Sequence, residues 1–152
     1  MRRKEAERLD VTIRAMRPED LDAVAALWLD AGLPYKPAGR DAREELLRQM
    51  GEPTACYLVA EYDGDVVGTV LGTYDGRKGW INRVAVDRRL RRRGVARLLV
   101  GEVEKRFAAL GLGIFACLIE DWNEVSARTF GRLGYECVDE IKYFVKRLRP
   151  GV

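Results

Sequence analysis

Hydrophobic positions along this chain switch between a period of two and a spacing of three and four, and the switches mark its elements. The run VTIRAM at 11–16 alternates as a half-buried strand does. Pro18, Glu19 and Asp20 suit the first turn of a helix whose apolar face carries Leu21, Val24, Ala25 and Trp28 until Gly32 ends it. Residues 32–41 hold two prolines and two glycines and predict a loop. Asp41 can then cap a second helix carrying Leu46, Leu47 and Met50.

From 55 to 86 the rhythm is that of strands. ACYLVAEY, DVVGTVLGTY and WINRVAV are separated by Asp63-Gly64 and by Asp75-Gly76-Arg77-Lys78-Gly79, which predicts an antiparallel meander of three strands. Gly68 and Gly72 inside the middle strand imply a bulge or close packing. A helix then starts around Gly94, with Val95, Leu98, Leu99, Val103, Phe107 and Leu110 on one stripe. Gly111 and Gly113 break it. IFACLIE at 114–120 reads as a buried strand, able to lie parallel to the Trp80 strand through a right-handed crossover containing that helix. Asp121 or Asn123 begins a helix to about Leu133 with Gly134 at its end, and YECVD and IKYFVKRL supply two more strands. The predicted fold is α/β (α+β), a mixed central sheet of six to seven strands with four helices. Residues 11–149 form the predicted domain, and the charged, aperiodic residues 1–10 form an N-terminal extension to which no chemistry is assigned.

The stretch from Trp80 to Leu110 draws the chemistry. Between the strand, which ends near Asp87, and the helix lies RRLRRRGVA. Gly94 and the small Ala96 would let a diphosphate approach the free N–H groups of the first helical turn, where the helix dipole favours negative charge. Arg88, Arg89, Arg91, Arg92 and Arg93 add positive potential, although an arginine run is also what a solvated face or a nucleic-acid patch looks like.

Charge narrows this. The 27 basic and 24 acidic side chains leave a formal charge of +3, with the basic excess concentrated in this one loop. Nucleic-acid binders spread basic residues over a wider face and interleave aromatics, which RRLRRRGVAR lacks, so no nucleic-acid partner is expected. No apolar run nears the roughly 20 residues of a membrane span, and MRRKEAERLD lacks a signal peptide's apolar core, so the expected location is cytoplasmic with no membrane partner. The chain has no histidine, and Cys56, Cys117 and Cys137 stand far apart in apolar surroundings, as buried thiols do. No metal site is predicted.

Arg91, Gly94 and Ala96 match the Gln/Arg-x-x-Gly-x-Gly/Ala signature, and Asn123, Ala127, Phe130, Leu133, Gly134 and Tyr135 match an Asn-x-x-(small)-x-x-x-(aromatic)-x-x-Leu-Gly-(aromatic) segment. With both segments the chain resembles the GNAT N-acetyltransferase superfamily. The resemblance implies that acetyl-CoA is the cosubstrate, its pyrophosphate held by the loop and first turn at Arg91, Arg92, Arg93, Gly94, Val95, Ala96 and Arg97. It also implies that the pantetheine arm pairs with backbone groups of Val84, Ala85 and Val86, with Asn123 and Phe130 contributing to the cofactor site. Taken alone, Val84 to Val86 read as an ordinary core strand. In that superfamily the segment between the first and second strands covers the acceptor; here that is the 32–41 loop, which is equally readable as a surface connection. Dimers are common among its members, which makes a homodimer one assembly the resemblance allows; the sequence itself leaves the oligomeric state open.

Two positions depart from the family's pattern. Many members carry a glutamate on the strand matching Trp80 to Val86, where this chain has Asn82 and Arg83. Glu120, at the end of the next strand, is the nearest carboxylate and the candidate base; Asp121 is second and could equally cap a helix. Phe130 stands where many relatives place a tyrosine proposed to protonate the leaving sulfur, and phenylalanine donates no proton. Thiolate is itself a fair leaving group near neutral pH. Tyr135 and Tyr143 are the other phenols nearby, and neither is assigned the role.

The function expected is acetyl transfer from acetyl-CoA to a primary amine, by direct attack in a ternary complex; the alternative is a non-catalytic acyl-CoA-binding or sensing domain. The acceptor is a small molecule or peptide bearing an amine, and neither its identity nor the choice of acetyl over another acyl donor is written in the sequence.

Overall fold

A computed structural model describes residues 9–152. The extension expected over residues 1–10 lies almost wholly outside the described residues. Strands β1 (Thr12–Ala15), β2 (Ala55–Tyr62), β3 (Asp65–Tyr74), β4 (Gly79–Val86) and β5 (Phe115–Ala116) form one sheet in sequence order. The first four pair antiparallel, and β5 lies parallel to β4. Helices are α1 (Leu21–Asp30), α2 (Arg43–Met50), α3 (Val95–Ala109) and α4 (Glu124–Arg132), with short 3-10 turns at Pro18–Asp20 and Arg88–Leu90.

Alternation along the strands builds a core on each face. Leu58, Ala60, Val70 and Ile81 pack with Val95, Leu99, Val100, Val103 and Phe107 of α3 and with Phe130 of α4. Val59, Leu71 and Ala85 point the other way, against Leu21, Val24, Leu27 and Trp28 of α1 and Leu46 of α2. The middle-strand glycines are close-packing sites: a Cβ on Gly68 would stand 2.9 Å from Leu99 Cδ1, and one on Gly72 2.7 Å from Val103 Cγ1. The stripe expected on α3 is right at its centre, but Leu98 and Leu110 are exposed and Val100 is the buried residue the spacing passed over.

Several expectations are corrected. The described residues hold five strands, not six to seven, because 135–152 form none. Ile141, Tyr143 and Val145 of one alternation and Phe144 and Leu148 of the other are all exposed, so neither face of that segment has a sheet to cover. The strand expected over 114–120 is two residues long and half-buried. Asp41 does not cap α2, whose N-cap is Ala42. Cys137 is exposed rather than buried, while Cys56 and Cys117 are half-buried, and all three are free thiols.

Candidate active site

The sheet opens where β4 meets β5. Their parallel pairing covers only Gly79 with Phe115 and Trp80 with Ala116. Beyond it, Ile81 to Val84 on one side and Cys117 to Glu120 on the other line a cleft of about 660 Å³. The β4 edge from Ile81 to Val86 therefore lacks a strand partner toward β5.

A bulge in β4 contributes to this opening. Thr69 faces Ala85 and Leu71 faces Asn82, so Arg83 and Val84 oppose Val70 alone. Arg83 takes the left-handed conformation, φ 54°, which costs a non-glycine residue about 1 kcal/mol. Three contacts hold it. Thr69 Oγ1 donates to the Arg83 carbonyl at 2.9 Å, the guanidinium carbon lies 4.7 Å from the Trp28 ring centroid, and Nη2 donates to Asp41 Oδ2 at 3.1 Å. Asp41, buried, also accepts from the Lys36 N–H at 2.8 Å. Burial opposes the charge on Arg83 and the Asp41 carboxylate supports it. The other terminal nitrogen, Nη1, is buried without a hydrogen-bond partner among the described residues. Such an orphaned donor costs about 1–3 kcal/mol, more when charged.

The arginine loop lies beyond the end of β4. Asp87 accepts from the Arg89 N–H at 2.9 Å and starts the 3-10 turn. Arg91 turns back, Nε donating to the Val86 carbonyl at 3.1 Å, and with Arg88 it pairs with Asp30 at the end of α1. Arg92 (φ 62°) and Gly94 (φ 85°) are left-handed, a backbone form that turns successive N–H groups into a concavity. Among the described residues no backbone carbonyl accepts from the N–H groups of Arg92 to Arg97. A Cβ on Gly94 would meet nothing within 4 Å, so the space in front of the α3 N-terminus is open. Arg92, Arg93 and Arg97 form no ion pair among the described residues, leaving three uncompensated cations at the rim. This cradle fits a diphosphate, and the open β4 edge leads from it to the cleft.

Residues 21–135, more than half of the chain, match the acetyltransferase (GNAT) family. The chain belongs to that family. Among solved structures, it is similar to the aminoglycoside N-acetyltransferase AAC(6')-Iy in complex with a CoA-based bisubstrate analogue: TM-score 0.74 at 20% identity, over 90% of this chain and 98% of that one. The PaiA N-acetyltransferase from Thermoplasma acidophilum, in complex with coenzyme A, gives 0.75 at 18%, over 86% and 92%. A predicted acetyltransferase from Clostridium acetobutylicum, with acetyl-CoA, gives 0.72 at 12%, over 89% and 96%. At such identities these likenesses establish the GNAT fold alone.

Within this GNAT frame the residues singled out from sequence fall into two groups. Gly94, Val95 and Ala96 lie at the α3 N-terminus with Arg92, Arg93 and Arg97 around it, and Arg91 is held inward. Val84, Glu120, Asn123 and Phe130 line the cleft, whereas Ala85 is buried on the α1 face and Val86 is half-buried. Asn123 caps α4, its side chain accepting from the Ser126 N–H at 3.1 Å. Phe130 is 5% exposed and stacks edge-on with Tyr135 at 5.0 Å between centroids. Tyr135 does not line the cleft, and burial drives its phenol well above the usual range; Tyr143 does line it.

The 32–41 loop, left open by the sequence between an acceptor cover and a surface connection, lines the cleft, through side chains that sequence reasoning did not single out. Leu33, Pro34, Lys36, Arg40 and Asp41 place the 32–41 loop there, with Gln49 and Tyr57 hydrogen-bonded to each other at 3.0 Å beside it. The proline and glycine content of that loop was the available signal. Arg83 stood out in the sequence only as a departure from the family's glutamate; its partner Asp41 lies 42 residues away. Among the described residues no three His, Cys, Asp or Glu side chains are arranged to hold a metal, and no helix is long and apolar enough to cross a membrane.

Proposed function

We propose that this chain transfers an acetyl group from acetyl-CoA to a primary amine, by direct attack in a ternary complex. The observation that carries it is the opening between β4 and β5. It joins an anion cradle at the α3 N-terminus to a cleft holding a carboxylate, with an unpaired strand edge between them. The residues fit the cosubstrate: N–H groups of Arg92 to Ala96 and the guanidinium groups of Arg92, Arg93 and Arg97 would hold the phosphates. Backbone groups from Val84 to Val86 would pair with pantetheine amides as an added strand does.

When bound, acetyl-CoA supplies an activated thioester and a thiolate leaving group. Glu120 lines the cleft and accepts the proton of the acceptor ammonium, directly or through water. Asn123 and Phe130 close the wall beside it. Direct transfer is favoured over a cysteine intermediate because burial pushes the Cys117 thiol, the one that lines the cleft, up to about 11, which leaves almost no thiolate at neutral pH.

Mass spectrometry of acetyl-CoA incubated with pooled amines and peptides tests the proposal, with a product heavier by one acetyl group and a matching yield of CoA expected. One observation favours a second reading, a non-catalytic acyl-CoA-binding domain: Phe130 is packed in the core and supplies no proton. Tight acetyl-CoA binding without any acetylated product would select it.

A further inference from the structure

The cleft carries more positive than negative charge, and this bears on the acceptor. Among the described residues the side chains of Lys36, Arg40, Arg83 and Arg147 line it against those of Asp41 and Glu120; Val152 lines it too, its main-chain oxygen accepting from Arg147 Nε at 3.1 Å. Asp41 is already committed: it accepts from the Lys36 N–H and from Arg83 Nη2, with Arg40 Nε at 3.9 Å. Among the described residues Glu120 is thus the one side-chain carboxylate of the cleft left to meet an incoming ammonium. Arg83, by contrast, has a surplus. Its side chain is 13% exposed, Asp41 takes a single one of its donors, and Nη1 is shut off from water without a partner among the described residues. Its strained φ of 54° is maintained by contacts to three separate elements, from Trp28, Asp41 and Thr69.

We infer that the acceptor is a zwitterion, an amine carrying a nearby carboxylate, and that Arg83 is the specificity-determining residue that receives that carboxylate while Glu120 faces the amine. A guanidinium donates to a carboxylate through two parallel N–H groups, and Arg83 lines the cleft with Nη1 still unpaired among the described residues. Polycationic acceptors are disfavoured, since they bring several ammonium groups to a wall that already holds four cationic side chains. The inference rests on the acetyl-transfer reading above and names its substrate class: free amino acids or amines of the same charge pattern.

The test uses matched acceptors. Each of a panel of free amino acids is compared with its carboxamide and its decarboxylated amine, with spermidine as the polycation, by mass-spectrometric initial rates at saturating acetyl-CoA. The amide's amine is the less basic and chemically the readier to react, so its free-base advantage works against the expected result. For at least one side chain the amino acid should exceed its amide by at least about tenfold in kcat/KM, a site built to bond a polar group discriminating strongly against its loss. Arg83→Gln should collapse that ratio and Arg83→Lys should restore part of it, with acetyl-CoA binding and melting temperature recorded for both. Wild-type preference for the amide, the decarboxylated amine or spermidine overturns the inference while leaving acetyl transfer intact. So does a ratio unchanged in a folded Arg83→Gln protein.

Calorimetric titration of the same amino acids into CoA-loaded wild type gives a readout independent of turnover. Binding of the amino acid but not its amide, without acetylation, supports the carboxylate site and removes the catalytic reading; binding of neither, without turnover, overturns both.

Discussion

Thr69 Oγ1 sits between two chemically different partners, donating to the Arg83 carbonyl at 2.9 Å and accepting from the Trp28 indole N–H at 3.1 Å. One hydroxyl thus ties the bulge of β4 to the core helix α1, and Thr69 is fully buried. Thr69→Val keeps the shape and removes both bonds, orphaning a buried donor and a carbonyl. The expected loss of stability is about 2 kcal/mol by urea denaturation. Because the bulge presents Arg83 to the cleft, the variant should also raise the KM for the amine more than that for acetyl-CoA.

The anion cradle predicts a ligand effect that can be read without knowing the acceptor. Saturating acetyl-CoA at a hundredfold excess over its dissociation constant should stabilise the protein by about 2.7 kcal/mol, seen as a rise in melting temperature. Gly94→Glu should abolish that rise, since the added side chain points into the open space at the α3 N-terminus with the wrong charge. The φ of 85° makes the unliganded variant less stable as well, so the decisive quantity is the ligand-induced shift of each protein against itself.

Asp20 predicts an acid-labile part of the stability. The Arg14 guanidinium, bonded at 2.7 and 2.9 Å, and then the Arg17 N–H at 2.7 Å hold its carboxyl below the usual aspartate range despite burial. A depressed carboxyl stabilises the fold fully above its unfolded value of about 3.9 and loses that contribution as pH falls through the folded value. Asp20→Asn leaves Arg14 with Glu61 as its charged partner, beside the Ala15 carbonyl, and should cost about 3 kcal/mol at pH 7. The gap between wild type and variant should stay flat from pH 7 to about pH 4 and narrow below that in urea titrations. A gap that is constant down to pH 2 would refute the ion pair's role.

How much of this was readable in the chain depends on how local the cause is. The meander was legible because Asp63-Gly64 and Asp75-Gly76 are turn chemistry written in adjacent residues, and α3 because its apolar spacing repeats over four turns. The turn and helix start around Gly94 were legible because their parts, an arginine loop, a glycine and an apolar repeat, are consecutive. Asp41 misled because a carboxylate just before a helical pattern looks like a cap whether it bonds the helix or a guanidinium elsewhere. IKYFVKRL misled because alternation shows that a segment can join a sheet but not that an edge awaits it, and β5 offers two residues. Arg83 could be read only as a missing glutamate, because its contacts come from Trp28, Asp41 and Thr69, none near it in sequence.

The proton of the acceptor gives the last prediction. An aliphatic amine with a pKa near 10.4 is almost wholly protonated at pH 7, so attack requires something to take a proton. The chain has no histidine, and the segment from Trp80 to Val86 has no carboxylate. Of the two side-chain carboxylates lining the cleft among the described residues, Asp41 is spent on Arg83 and on the Lys36 N–H, which leaves Glu120. Glu120 is half-buried, and its own carbonyl accepts from the Asn123 N–H at 2.8 Å, which fixes its backbone against the start of α4. Glu120→Gln keeps that backbone bond and the shape while removing the basic oxygen. It should lower turnover at least about tenfold at pH 7, and the deficit should shrink as pH rises and free amine accumulates. Acetyl-CoA affinity should hardly change, because the phosphate cradle at Gly94 lies at the other end of the opening. Full turnover of Glu120→Gln at pH 7 would shift the role to Asp121, or to a water chain with no single base; a deficit equal at all pH values would mean that Glu120 positions the acceptor rather than taking its proton.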